Sequence, residues 1–413
     1  MLLRDSSISS GPSGSSGHSG QGSARTRRRA LIAGSAAVIL AAGTAAVLIA
    51  APASHPAAKH HVEAASGAMS ARLAASTCSG PAGAAYVALP GYQAFDAIDT
   101  ANCEITQSYN VDDPQVPGDS GDYNYAGTDE AVAIHGDTLY FAVTGEDQVA
   151  VINAATLNPK DYSPAETIIQ VGFNPGDLAV TPDGSQLWVA DTGPQTGPSS
   201  PTAISVISTA TDKVTATLRL PTAPAQIAFS PSGATAYVTT ADGLWVFNTA
   251  TEHVTDVIRG LGDPHGVAVS PDGSTVYVTN TDAGKVELIH AATDKVTGMI
   301  GVGQLPWQVA ISSDGKTVYV ADPDSNQVSV ISASSDTVTS TISISGDPDT
   351  VALTPDGSQL WVGGLTSGII TVLDTSNHSV VGEINVGNDG PNSGDGEEPT
   401  SIVLTTAPTP TGS

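Results

Sequence analysis

One turn recurs along this chain at nearly constant spacing, and that period limits the fold more than any other feature. The turn is Pro-Asp-Gly or a close variant, ending at Gly184, Gly233, Gly273, Gly315 and Gly357, which lie 49, 40, 42 and 42 residues apart. Each turn follows a short apolar run introduced by proline: PGDLAV at Pro175, PAQIAF at Pro224, PHGVAV at Pro264, PWQVAI at Pro306 and PDTVAL at Pro348. Self-similarity at a period of about 40 residues marks a repeat architecture, in which each unit buries its faces against its neighbours.

Residues 263–303 show what one unit contains. Four β-patterned runs, 266–270, 275–279, 285–290 and 295–302, are rich in Val, Ile, Thr and Tyr and too short for helices. Three turn signals separate them: Pro271-Asp272-Gly273, Asp282-Ala283-Gly284 and Thr293-Asp294. Glycine supplies positive φ at such places, and aspartate bonds its own backbone. The unit is therefore a four-stranded antiparallel meander, and the repeat predicts an all-β propeller.

The ends of the repeat predict how the ring closes. Residues 84–89, 94–99 and 104–111 match the second, third and fourth strands of the unit, with no innermost strand before them. The missing strand is PTSIVLT at residues 399–405. The C-terminal strand should therefore complete the N-terminal blade. An aromatic residue stands at one fixed place in the second strand of each blade: Tyr86, Tyr140, Trp188, Tyr237, Tyr277, Tyr319 and Trp361. That series predicts seven blades over residues 84–406, with the aromatics packed in the seams between them.

Charge divides the chain unevenly. Five of the 14 basic residues and one of the 41 acids precede residue 30, so the remainder carries a formal net of −31. Such a surface repels phosphate backbones and argues against nucleic-acid binding. Residues 1–29 are Ser/Gly-rich, without apolar periodicity, and are expected to be a disordered cytoplasmic tail. They end in Arg25, Arg27, Arg28 and Arg29. Residues 30–51 hold no charge and would span roughly 33 Å as a helix, enough for a bilayer. The arginines place its N-terminal end in the cytoplasm. The segment is read as a single-pass anchor with the propeller outside the cytoplasm. The alternative is a signal cleaved near Ala53, releasing a secreted propeller. Residues 52–83 form a linker in which His55, His60 and His61 read as a polar tether, and residues 407–413 a disordered tail.

The strands TVYVTN and TVYVAD, their Pro-Asp-Gly turns and the V-x-V-I-x-x-x-T-x-x-V continuation resemble the YVTN β-propeller repeat family. That family includes surface-layer and YncE-like extracytoplasmic proteins. The resemblance implies a propeller at the cell envelope that serves as a scaffold, adhesion or ligand-binding module. Propeller lactonases and lyases are similar in outline, but none of their catalytic signatures is present to carry over.

Inner strands begin just after the connecting prolines, so side chains there should rim the central channel. Around the ring these are Thr400, Glu130, Gly176, Ala225, His265, Trp307 and Asp349, followed by Ser401, Ala131, Asp177, Gln226, Gly266, Gln308 and Thr350. Glu130, Asp177, Gln226, His265, Trp307, Gln308 and Asp349 are the candidate ligand-binding residues at the mouth. Glu130, Asp177, His265 and Asp349 are also of the types that hold a divalent cation or move protons. Long insertions at 112–127, 193–201 and 388–398 fall on the face of the blade-to-blade connections, and one at 158–165 on the other. Asp389, Asp395, Glu397 and Glu398 in the third of these make calcium a candidate ligand. No nucleophile elbow, P-loop, dinucleotide fingerprint or zinc spacing occurs. The expected function is a non-enzymatic module binding a protein, polysaccharide or small molecule at the cell surface. The alternative is a lactonase- or lyase-like enzyme working at the channel mouth. Cys78 and Cys103, the only cysteines, are expected to pair outside the cytoplasm.

Overall fold

The computed structural model describes residues 80–89, 94–111, 131–157, 165–193, 202–386 and 399–406. By contacts the chain divides into Met1–Ala64 and Ala65–Ser413, and every described residue belongs to the second unit. These residues form seven four-stranded antiparallel sheets, the blades of a β-propeller. Blade five runs from the inner strand Pro264–Val269 through Thr275–Asn280 and Lys285–His290 to the outer strand Lys295–Gly301. Its inner strand begins earlier than the apolar pattern implies, because Pro264 already pairs with Asn280 across a bulge.

Ring closure follows the sequence expectation. Ser401–Thr405 is the inner strand of blade one and pairs antiparallel with Ala84–Leu89, matching Ala84 to Thr405, Tyr86 to Val403 and Ala88 to Ser401. The described core separates into seven hydrophobic clusters, one in each seam, and each holds one of the second-strand aromatics. Trp188 and Trp361 are completely buried. The period of two in the strands explains the division. Val276 and Val278 face blade four, whereas Tyr277 between them faces blade six.

The Pro-Asp-Gly turns lie on one face. In them Asp183, Asp272, Asp314 and Asp356 each accept the hydroxyl two residues earlier, at 2.6–2.7 Å. The turn glycines sit at φ of +70° to +72°, where a side chain is strained. Gly233, Gly273 and Gly315 also pack against Pro182, Pro231 and Pro271 of the preceding blade, so the turns form a continuous rim. The other face carries the blade-to-blade connections, tied to the second-to-third strand turns by bonds such as Val302 N–H to the Gly284 carbonyl.

The outer strands are exposed edges, and the repeat blunts them. All seven third-to-outer strand pairings carry a register shift. In five blades a threonine at the bulge, Thr106, Thr215, Thr255, Thr297 or Thr339, donates its hydroxyl to a third-strand carbonyl at 2.9–3.2 Å. A bulge twists an edge away from further pairing.

Among the described residues no helix is long and apolar enough to cross a membrane. The expected anchor at residues 30–51, the linker and the terminal tails lie outside the described residues, as do nearly all of the insertions. Cys103 sits in the third-to-outer turn of blade one, is buried, and is not a free thiol. Cys78 lies outside the described residues. Non-reducing peptide mapping of protein purified without reductant should recover a Cys78–Cys103 peptide, and reduction should lower the melting temperature by an amount corresponding to roughly 3 kcal/mol. Two alkylatable thiols in protein kept from reductant would remove the bridge.

Candidate functional site

Near the start of several inner strands one polar side chain reaches the backbone of the neighbouring blade. Asp177 of blade three accepts the Ile227 N–H of blade four through Oδ2 at 2.8 Å. Gln226 of blade four accepts the Val267 N–H of blade five through Oε1 at 2.7 Å. Gln308 of blade six accepts both the Val351 N–H, at 2.6 Å, and the Thr350 hydroxyl, at 2.8 Å, of blade seven. Ser401 of blade one does the same for Val132 N–H of blade two at 3.3 Å. Three of the residues singled out as ligand candidates, Asp177, Gln226 and Gln308, are thus latches between blades. Inner strands lack a neighbour on the channel side, so these side chains satisfy donors that would otherwise need water. A buried donor left without a partner costs about 1–3 kcal/mol.

The seam between blades five and six is built differently. Its latch position is Gly266, where a Cβ would collide with the Trp307 carbonyl oxygen. The backbone of blade six moves into that space. Thr279 Oγ1 accepts Gly266 N–H at 2.6 Å and donates to the Trp307 carbonyl at 2.8 Å. Thr239 likewise donates to the His265 carbonyl at 2.5 Å. The strand of blade six consequently starts late, at Val309–Ile311. Pinned this way, Trp307 stacks on His265 with ring centroids 3.6 Å apart and planes at 28°. Both rings are half-buried at the mouth. Asp349, in the same register one blade on, is 7% exposed.

The structure therefore brings His265 and Trp307 together. Among the described residues no group of three or more His, Cys, Asp or Glu side chains is placed to hold a metal. Glu130, Asp389, Asp395, Glu397 and Glu398 lie outside the described residues.

Sequence reasoning missed two buried carboxyls beneath the connections. Asp191 and Asp322 end the second strands of blades three and six and are 0% exposed. Asp191 accepts Ser205 Oγ at 2.7 Å and Gly172 N–H at 3.1 Å. Asp322 accepts Ser329 Oγ at 2.5 Å and Gln327 Nε2 at 3.2 Å. Burial pushes Asp191 up to about 7 against the bonds from Ser205 and Gly172, and Asp322 up to about 6 against those from Ser329, Gln327 and Gly303. Burial also raises Asp177 to about 7, opposed by the N–H groups of Ile227 and Leu178. The signal was present in the recurring YVTN, YVAD and WVAD endings.

Below the mouth lies a channel of about 480 Å³, walled by the inner strands of blades seven, one, two, three and four. Every residue on that wall is Val, Ala, Ile, Leu, Phe or Pro. Ile134, Val180, Phe229, Leu353 and Leu404, all half-buried, stand at one register of their strands.

These features define a seven-bladed propeller whose inner strands are latched side chain to backbone around an open central channel. The chain belongs to the Choice-of-anchor I domain family, whose model matches residues 83–307. No curated protein matches the sequence. Among solved structures, a functionally unknown protein from Desulfotomaculum acetoxidans DSM 771 is similar at 19% identity and a TM-score of 0.61, over 79% of this chain and 99% of that one. Kuenenia stuttgartiensis hydrazine synthase is similar at 19% identity and a TM-score of 0.55, over 69% of this chain and 90% of that one. At such identity the likeness shows the fold alone.

Proposed function

We propose that this chain is a YVTN-type propeller displayed outside the cytoplasm, anchored through residues 30–51, that binds a ligand or partner at the cell envelope without catalysing a reaction. The observation that carries the reading is the commitment of the mouth's polar side chains. Asp177, Gln226 and Gln308 hold the next blade's backbone, and catalysis needs acid and base groups converging on one substrate atom. The arginine cluster before an uncharged 22-residue run supports the topology. One observation favours the enzymatic alternative: the Asp177 carboxyl is poised near neutrality, a common property of catalytic acids and bases.

Two measurements test the reading together. Fractionated cells should yield the chain in the membrane pellet, with the propeller cleaved by protease added to intact cells. The purified propeller, assayed with and without divalent cations, should turn over no member of a lactone panel. Cytoplasmic recovery would end the envelope assignment. Lactone turnover abolished by Asp177→Asn would establish the enzyme instead.

A further inference from the structure

Blade six closes over its buried carboxyl less completely than blade three does. In blade three both oxygens of Asp191 are occupied, Oδ1 by Gly172 N–H and Oδ2 by Ser205 Oγ. The connection above it is fastened by Asn174, whose amide donates to Thr192 Oγ1 at 2.7 Å. In blade six Ser329 and Gln327 both reach Oδ2 of Asp322, and the buried Oδ1 meets no donor. A carboxylate shut away from water needs donors on both oxygens, so ionisation of Asp322 is only half compensated.

The cover over Asp322 is the connection 303–306. A Cβ at Gly303 would collide with the Asp322 side chain, so this backbone lies directly on the carboxyl. Two residues on, Leu305 stands at φ +56°. Asn174 and Asp347 hold the same place before Pro175 and Pro348, at φ +57° and +55°, and residues of their kind tolerate that conformation. A leucine there is strained, and it has no polar group to fasten the connection as Asn174 does. Pro306, with its fixed φ, couples Leu305 to Trp307. Trp307 N–H in turn donates to the carbonyl of Ala321, the residue before Asp322, at 2.8 Å. The carboxyl, the strained residue and the stacked ring are thus mechanically joined.

The charged groups around Asp322 are mostly acids. Asp324 follows in the next turn, and Asp282 belongs to the blade-five turn whose Gly284 packs on Gly303. Asp349 stands on the blade-seven inner strand packed against the strand of Asp322. Lys285, the cation after the blade-five turn, is directed to Met299 Sδ at 3.2 Å. Burial therefore dominates, and the carboxyl stands at about 6.

We propose that ionisation of Asp322 lifts the connection 303–306 and unstacks Trp307 from His265, so that the channel mouth changes shape with pH. With the carboxyl protonated, the connection closes over it and Leu305 stays strained. With the carboxylate formed, lifting the connection lets water reach Oδ1 and lets Leu305 leave the left-handed region, so one movement relieves both. Burial raises the folded value above the unfolded one, so the closed mouth belongs to pH 5 and the open mouth to pH 8.

The test is fluorine NMR of the purified protein labelled with fluorotryptophan, with Trp307→Phe assigning one of the four lines. The solvent-isotope shift of the Trp307 line between H2O and D2O reads its exposure to water, which protonation of His265 alone leaves unchanged. That shift should grow at least about twofold from pH 5 to pH 8, with a midpoint near 6. Asp322→Asn copies Asn280 of blade five and should hold the shift at its pH 5 value throughout. Asp191→Asn should leave the parent's transition in place. Leu305→Asn copies Asn174, removes the strain that favours opening, and should move the midpoint up by roughly half a pH unit. Equal exposure at pH 5 and pH 8 in the parent, or a transition retained by Asp322→Asn, overturns the proposal. Should Asp322→Asn fail to fold, an unmoved midpoint in Leu305→Asn overturns it.

Discussion

Truncating the chain before Pro399 is expected to abolish the soluble monomer or to lower its melting temperature by more than about 15 °C. The deletion removes Ser401–Thr405, the inner strand of blade one. Its ladder partner, Ala84–Leu89, is buried at every position and would become an edge facing the channel. The loss is apolar as well as hydrogen-bonded. Ile402 belongs to the seam between blades seven and one, and Val403 packs on the seam between blades one and two. At ~1.5–3 kcal/mol for a fully buried aliphatic side chain, buried Ile402, with half-buried Val403 adding part of that, is a sizeable share of the ~5–15 kcal/mol by which a domain is stable. The Ser401 latch to Val132 disappears as well. An unpaired, apolar edge also templates pairing with another chain, so aggregation is the expected outcome where folding survives. A chain ending at Thr406 should melt with the parent, and a synthetic peptide of residues 399–406 should partly rescue the longer deletion. Parental melting and monomeric size of the long deletion, by calorimetry and light scattering, would show that this strand does not close the ring.

The second large effect concerns pH. The melting temperature should be higher at pH 5 than at pH 8 by roughly 5–10 °C, the reverse of ordinary acid sensitivity. Asp191 and Asp322 stand near 7 and 6 in the folded chain, whereas an unfolded aspartate titrates near ~3.9. Between those values the folded chain binds more protons than the unfolded one. Stability then falls as pH rises, with the contribution complete below about 4 and lost above about 7. The two carboxyls contribute at most on the order of 4 and 3 kcal/mol. Asp177 acts in the same direction. The exposed turn residues Asp183 and Asp272, drawn down to about 2 chiefly by the Thr181 and Ser270 hydroxyls, act oppositely, but only as pH falls below about 4. General repulsion among the acidic groups also relaxes on acidification, yet that part is screened at high salt. The pH dependence should therefore persist at ~1 M NaCl, where the Debye length is about 3 Å. Asp191→Asn with Asp322→Asn should flatten it and raise the melting temperature at pH 8. Blade five supports the exchange, since Asn280 occupies the equivalent place and donates to Glu287 at 3.2 Å. A high-salt profile of the double variant parallel to the parent's would exclude these two carboxyls as the cause.

Much of the architecture was legible because it rests on local chemistry. The turn glycines need positive φ, the turn aspartates bond within two residues, and alternation sends Tyr277 to one seam and Val276 and Val278 to the other. Blade number and the closing strand were readable for the same reason, since each repeat carries its aromatic and its proline in register. The apolar inner-strand residues Ile134, Val180, Phe229, Leu353 and Leu404 likewise follow from the strand pattern and pack into the seams.

The candidate site was legible as a set of positions, and its roles were not. Asp177, Gln226 and Gln308 read as free polar groups at a mouth. Their partners lie 50, 41 and 43 residues away on the next blade. The chemistry of an aspartate or a glutamine does not reveal which distant backbone N–H will meet it. Trp307 and His265 read as candidate ligand residues at the rim but not as a pair, and the absence of a side chain at Gly266 is what lets their two strands approach. Asp191 and Asp322 look like turn-forming acids at the ends of strands, and the connection that closes over them raises their pKa values. The sequence by itself determined a ring of seven meanders, because strand period, turn geometry and repeat length are encoded within each unit. The tertiary structure alone decided which polar groups are latches, which are buried and which face the channel, because those distinctions arise only where one blade meets the next.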